Sequence, residues 1–276
     1  MRFPRTAALA AVAVLAPVAG GCWVLRPDVA FNPDNPFHQI RVVAVAPVFD
    51  MTIDRDLLDT DDGYSPVQLG ELLSSEMIQF AEFQVIRSTV VAAALEQHSG
   101  PPPEGEEGPR LPPGGNPSRR GWHPNDPDGP AIARLVMDAL GADAILVCAI
   151  TDFDPYGDPM VAVAAQFFAS ARAGSRGPDV GDLIQAGRPF PSDAGRRQGL
   201  IIGFEQMYDA KQRWVQMELG AYANYRNGLE ERGLDPDKVY SWDAENYFRF
   251  AFNRTIHEVV RRGEILQEAW DHGVED

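Results

Sequence analysis

Apolar positions along the chain recur with two spacings, and the alternation between them predicts the elements. "QIRVVAVAPVFD", residues 39–50, is a run of β-branched and small apolar residues that Pro47 interrupts only near its end, the pattern of a buried strand. In the stretch that follows, Leu69, Leu72, Leu73, Met77 and Phe80 fall at helical spacing behind the start signal Ser65-Pro66. "FQVIR" predicts a second short strand, and "STVVAAALEQH" a second helix capped by Ser88 or Thr89. "AIARLVMDALGA" reads as a third helix closed by Gly141, and "ADAILVCAITDFDPY" as a third strand. "DPMVAVAAQFFAS" is a fourth strand that can pair with the third through a turn at Tyr156 to Pro159, and "GLIIGFEQMYDA" a fifth.

The rest is helical. Val215, Leu219 and Tyr222 share one face, and Phe248, Phe252, Ile256, Val259, Gly263 and Leu266 line a second stripe, read as core packing. Two segments break the pattern. Residues 99–129 and 171–197 are rich in Gly and Pro and poor in apolar residues, too poor to offset the entropy of ordering them, and are expected to be flexible insertions. The element order implies an α/β fold: a mostly parallel sheet of about five strands with flanking helices, a C-terminal hairpin-type strand pair and two C-terminal helices.

The first 22 residues follow a different logic. Arg2 and Arg5 precede an uncharged apolar run from Ala7 to Val18, and Ala19, Gly20 and Gly21 lead into Cys22. This is the order of a secretory signal. A cysteine directly after the small residues resembles the lipobox of bacterial lipoproteins, although Ala19 stands where leucine is usual. That resemblance implies cleavage between Gly21 and Cys22, with diacylglycerol and an N-acyl group on the Cys22 thiol and amine. Ordinary secretion, or an uncleaved anchor from Ala7 to Leu25, are the competing readings. A spanning helix needs about 20 apolar residues, and Pro17, Gly20 and Gly21 interrupt this one. Two acyl chains suffice for a stable anchor. The expected division is therefore a signal peptide over 1–21, a tether over 22–38 reaching about 50 Å at most, and one α/β domain over 39–270.

Charge narrows the partners. The formal net charge is -16, and removal of residues 1–21 makes it two units more negative. Such a surface repels nucleic acid and anionic headgroups, so contact with the bilayer is expected through the acyl anchor alone. Of the two cysteines, Cys148 lies inside an apolar strand and reads as a buried core thiol, with a Cys22 to Cys148 disulfide as its rival should Cys22 carry no lipid.

Three stretches, "RVVAVAPVFD", "LGELLSSEMIQFAEFQVIRST" and "LGADAILVCAITDFDPY", together resemble the periplasmic α/β domain shared by curli-secretion channel lipoproteins, penicillin-binding-protein activator lipoproteins and the TolB amino-terminal domain. Arg87 and the Gly141-Ala142-Asp143 step carry the resemblance, which extends over about residues 41–170; Cys148 stands where the group often has glycine. The resemblance implies a domain without an active site that binds envelope proteins. It implies no pore here, because barrel strands need about nine to eleven alternating residues and "MVAVAAQFFAS" alternates poorly.

Candidate chemistry is sparse. "AGSRG" around Ser175 lacks the first glycine of a nucleophile elbow, and His38, His98, His123, His257 and His272 show no metal-protease spacing. The richest polar cluster is "FDMTIDRDLLDTDDGY", in which Asp54, Asp56, Asp59, Asp61 and Asp62 follow the first strand. Crowded carboxylates can hold Ca²⁺, but Gly63 stands at the wrong interval for an EF-hand, and a solvated acidic loop is the favoured reading. The loop does leave the carboxyl end of a parallel strand, where open α/β sheets bind ligands. The expectation is thus a membrane-anchored, periplasm-facing lipoprotein of the cell or outer membrane, without cofactor, acting on envelope proteins near its anchor or on copies of itself. A Ca²⁺- or solute-binding protein, or an enzyme, using the acidic loop is the alternative.

Overall fold

The computed structural model describes residues 34–52, 64–80, 82–98, 129–170, 200–227 and 243–273. Strands β1 (Val42–Val45), β2 (Phe49–Asp50), β3 (Gln84–Ile86), β4 (Ala144–Asp154), β5 (Met160–Ala169) and β6 (Leu200–Asp209) form one sheet. The helices are α1 (Pro66–Met77), α2 (Ser88–His98), α3 (Gly129–Leu140), α4 (Arg213–Asn227) and α5 (Ala244–Gly273). The sheet runs β3-β1-β4-β5-β6, with β2 beside β4. Pairings of β1 with β3 and β4, and of β2 with β4, are parallel; β5 and β6 join antiparallel. The fold is the mostly parallel α/β sheet with two C-terminal helices that the sequence pattern implies.

The sixth strand comes from Pro47. Val45 pairs with Leu146 but Phe49 pairs with Ala149, so the first edge carries one residue more than β4 across this step. Pro47 has no N–H to give the ladder, and the Val48 N–H turns away to the Pro66 carbonyl at 3.0 Å. One predicted strand thus becomes two.

Alternation along β4 divides the core between two faces. Leu146, Cys148 and Ile150 pack with α1, α4 and α5 on one side, while Ile145 and Val147 pack with α2 and α3 on the other. The predicted α5 stripe is core: Phe248, Phe252, Ile256 and Val259 are buried, and Phe250 joins them.

Helix ends follow local chemistry with one exception. Ser65 and Gln68 form a capping box at α1, with Pro66 in the first turn. Gly141, at φ +66°, closes α3 in the left-handed region. At α2, however, neither Ser88 nor Thr89 supplies the cap expected of it. Their own N–H groups donate to α1, Ser88 to Ser74 Oγ at 3.1 Å and Thr89 to Glu71 at 2.9 Å. The first turn of α2 is capped by its neighbour because the two helices meet closely at Gly70.

Asp143 has an analogous task. Its carboxylate accepts the N–H groups of Arg41 and Val42, both at 3.0 Å, and its own N–H donates to the Val42 carbonyl. It fixes the start of β1 against the start of β4.

The N-terminal segment is packed as soon as it is described, so residues 34–38, expected within the tether, belong to the folded body. The Asn35 side chain accepts from the Phe37 N–H and donates to the Ile40 carbonyl, both at 2.8 Å. Phe37 lies against Phe167 at 5.4 Å between ring centres. Gly263 of α5 makes room for it: a Cβ there would fall 2.3 Å from the Phe37 ring.

A Cβ on Gly70 would lie 2.1 Å from Ser88 Oγ and 3.1 Å from Pro47 Cα. Gly70→Ala is therefore expected to cost about 1–3 kcal/mol in urea unfolding, through overpacking. Adding Ser88→Gly, which removes the two nearest atoms, should recover part of that loss.

Candidate functional site

The carboxyl end of the parallel strands is the first place to look for a site. There β2 ends at Asp50, whose Oδ1 accepts the Thr52 N–H at 2.9 Å and its hydroxyl at 2.7 Å, closing a local turn. The chain is described again at Tyr64, whose ring meets Phe248 edge-on at 5.4 Å, while Phe153 lies 4.8 Å from the same Phe248. Aromatic rings fill the described part of this end. Asp54, Asp56, Asp59, Asp61 and Asp62 lie outside the described residues, as do Gly21, Cys22 and Ser175. Among the described residues no group of three or more His, Cys, Asp or Glu side chains could hold a metal ion.

Cys148 is a free thiol, fully inside the core, and burial pushes its pKa up. It behaves as the small apolar residue expected of its strand, without the thiolate that a nucleophile or ligand needs. His257, also largely buried, packs edge-on against Phe80 at 5.1 Å. Burial, helped by Arg254, lowers its pKa to about 4, so it is neutral near pH 7.

The constellation that sequence reasoning missed centres on Glu76, a carboxylate with no exposed surface where α1, α4 and α5 meet. Its Oε1 faces Arg226 of α4 at 3.5 Å and Arg249 of α5 at 3.6 Å. Its Oε2 accepts from Gln79 at 3.0 Å and Asn253 at 3.4 Å. Arg249 is held in turn by Glu245, at 2.9 Å, and by Ser75 Oγ. A second bridge, Arg254 Nε to Glu218 Oε2 at 2.9 Å, ties α5 to α4 independently.

Burial raises the Glu76 pKa more than the two arginines, Tyr222 and Asn253 lower it. A signal for this site does exist in the sequence. Glu76 falls on the Leu69, Leu73, Phe80 stripe, where a charged residue must be either exposed or paired. What the sequence lacks is the identity of the pairing groups, since Arg226 and Arg249 lie far along the chain. Closed to solvent, the carboxylate cannot touch a substrate in this conformation; it joins three helices.

Removing one member of such a group strands the others. Glu76→Ala should destabilise the domain by about 3 kcal/mol in urea unfolding, with a smaller loss for Glu76→Gln. Because the folded pKa of Glu76 is raised, its contribution is fully present below the usual carboxylate value and lost as pH rises through the folded one. Measured from pH 7 downward, the wild type is therefore expected to gain stability relative to Glu76→Gln.

Comparison with known proteins adds little. No protein-family model matches the chain, and no curated protein matches it. Among solved structures, lipoprotein GNA1162 from Neisseria meningitidis is similar at 13% identity and TM-score 0.32, over 67% of this chain and 94% of that one. The hypothetical protein CT253 from Chlamydia trachomatis is similar at 14% identity and TM-score 0.35, over 82% and 98%. At these TM-scores the likeness assigns neither a family nor a function, and no finding supports membership of the curli-secretion, activator-lipoprotein or TolB groups.

Proposed function

We propose that this protein is a bacterial envelope lipoprotein, anchored through acyl groups on Cys22, whose α/β domain faces the periplasm and acts by binding envelope proteins rather than by catalysis. The observation that carries the reading is the order of positive residues, apolar run and small residues directly before Cys22. Two structural features support it. Cys148 is free and enclosed in the core, as the lipid-anchor reading expects of it. The described ends of the parallel strands are packed with aromatic rings, an arrangement suited to a rigid binding body.

The folded body begins by Asp34, so only eleven residues separate it from Cys22. At full extension these reach about 40 Å, which keeps the domain next to the membrane that holds it. Partners are therefore envelope proteins within that reach, in the cell membrane or the outer membrane.

Metabolic labelling of cells with a fatty-acid analogue tests the anchor. Label is expected on the wild-type chain and absent from Cys22→Ser, which should also leave the membrane fraction. An unlabelled wild type overturns the proposal.

A further inference from the structure

The end of the sheet remote from the N-terminal segment carries an aromatic and thioether surface. β4 runs from Ala144, beside the start of β1, to Asp154, and at about 3.3 Å per residue this separates the two ends by roughly 33 Å. At the far end the β4–β5 turn exposes Tyr156, 75% accessible, and the beginning of α4 exposes Trp214 and Met217, each 39%. The turn and the helix are joined there: the Ala210 N–H donates to the Pro159 carbonyl at 2.9 Å, and Gln216 donates to the Ala210 carbonyl at 2.8 Å.

α4 is apolar on two separate faces. Val215, Leu219 and Tyr222 are buried in the core. Trp214, Met217, Ala221 and Tyr225, at positions i, i+3, i+7 and i+11, fall within about 80° of one another on the outer side. Trp214 is held in place, its indole N–H donating to the Gln212 side chain and its ring lying 6.2 Å from Tyr208. A large aromatic fixed before binding loses little entropy on docking, and Trp, Tyr and Met are residues that interfaces favour.

The surrounding charge selects the occupant. Asp154, Asp158 and Asp243 are exposed and Asp209 is half-exposed at this end, against Lys211 and Arg213. The Asp154 and Asp209 carboxylates are fixed by the N–H groups of Tyr156 and Lys211, at 3.0 and 2.9 Å. A second copy of the chain, or an anionic lipid surface, would bring like charges together.

We propose that Tyr156, Trp214 and Met217 form the docking surface for another envelope protein that presents an apolar patch rimmed by Lys and Arg. This rests on the reading of the chain as a lipoprotein that binds envelope proteins, and names the surface that does so. It places the binding face at the end of the domain opposite Asp34.

A photocrosslinking amino acid placed at 156, 214 or 217 of the full chain, in the bacterium that makes it, tests the surface, with 90 and 96 on the opposite layer as controls. The patch positions are expected to yield one shared adduct that maps to a Lys- or Arg-bearing segment of a different protein, with none from the controls. Asp154→Lys combined with Asp158→Lys should cut its yield at least about fivefold. An adduct to a second copy or to lipid, equal yield from the controls, no adduct, or indifference to the charge reversal would overturn the proposal. Fractionating the same cells separates the two readings: membrane-bound chain without a patch adduct refutes the surface alone, and soluble wild-type chain that still forms the adduct refutes the anchor alone.

Discussion

β4 bonds to β1 and β2 along one edge and to β5 along the other, and both of its faces are buried for most of its length. A strand covered on two sides must be apolar on two sides, which is why "AILVCAI" runs without a polar residue and why a cysteine is tolerated in it. Everything else takes its position from this strand. The helices sort onto two layers according to which side chains of β4 they meet, and the Asp143 clamp at its start sets the register of β1.

What the sequence made legible is what short-range periodicity encodes. The Ser65-Pro66 start and the Leu69, Leu73, Met77, Phe80 spacing define α1, and the hairpin of β4 and β5 follows from two apolar runs around a Gly157 turn at φ +74°. The illegible parts depend on residues distant in sequence. Pro47 looks like the end of a strand until Pro66 is seen accepting the displaced Val48 N–H. Ser88 has the composition of a cap but is itself served by Ser74 across the Gly70 contact. Glu76 is visible as an anomaly on an apolar stripe, yet its meaning lies in Arg226 and Arg249, about 150 and 170 residues away. For the candidate site the limits differ: Cys22 and the five loop aspartates were named from the sequence and lie outside the described residues.

Charge is distributed unevenly as a result of this packing. Arg226, Arg249, Arg254, Arg261 and Arg262 are each committed to glutamates of the same chain. Arg262 also lies over the Phe204 ring at 4.7 Å. These pairs take up glutamates together with arginines, so the excess of 40 acidic over 24 basic residues is carried by the carboxylates outside them.

The seat of Phe37 between Phe167 and Gly263 has a mechanical meaning under the proposed anchoring at Cys22. Tension arriving along the chain reaches Asn35 and Phe37 first, and they pass it to the C-terminal half of α5 and to β5. Should that latch slip, the pull falls on β1 along its own length, between two parallel neighbours. Hydrogen bonds drawn lengthwise must yield together, whereas those of a strand peeled sideways yield one at a time. The geometry therefore resists shear at the point where force enters.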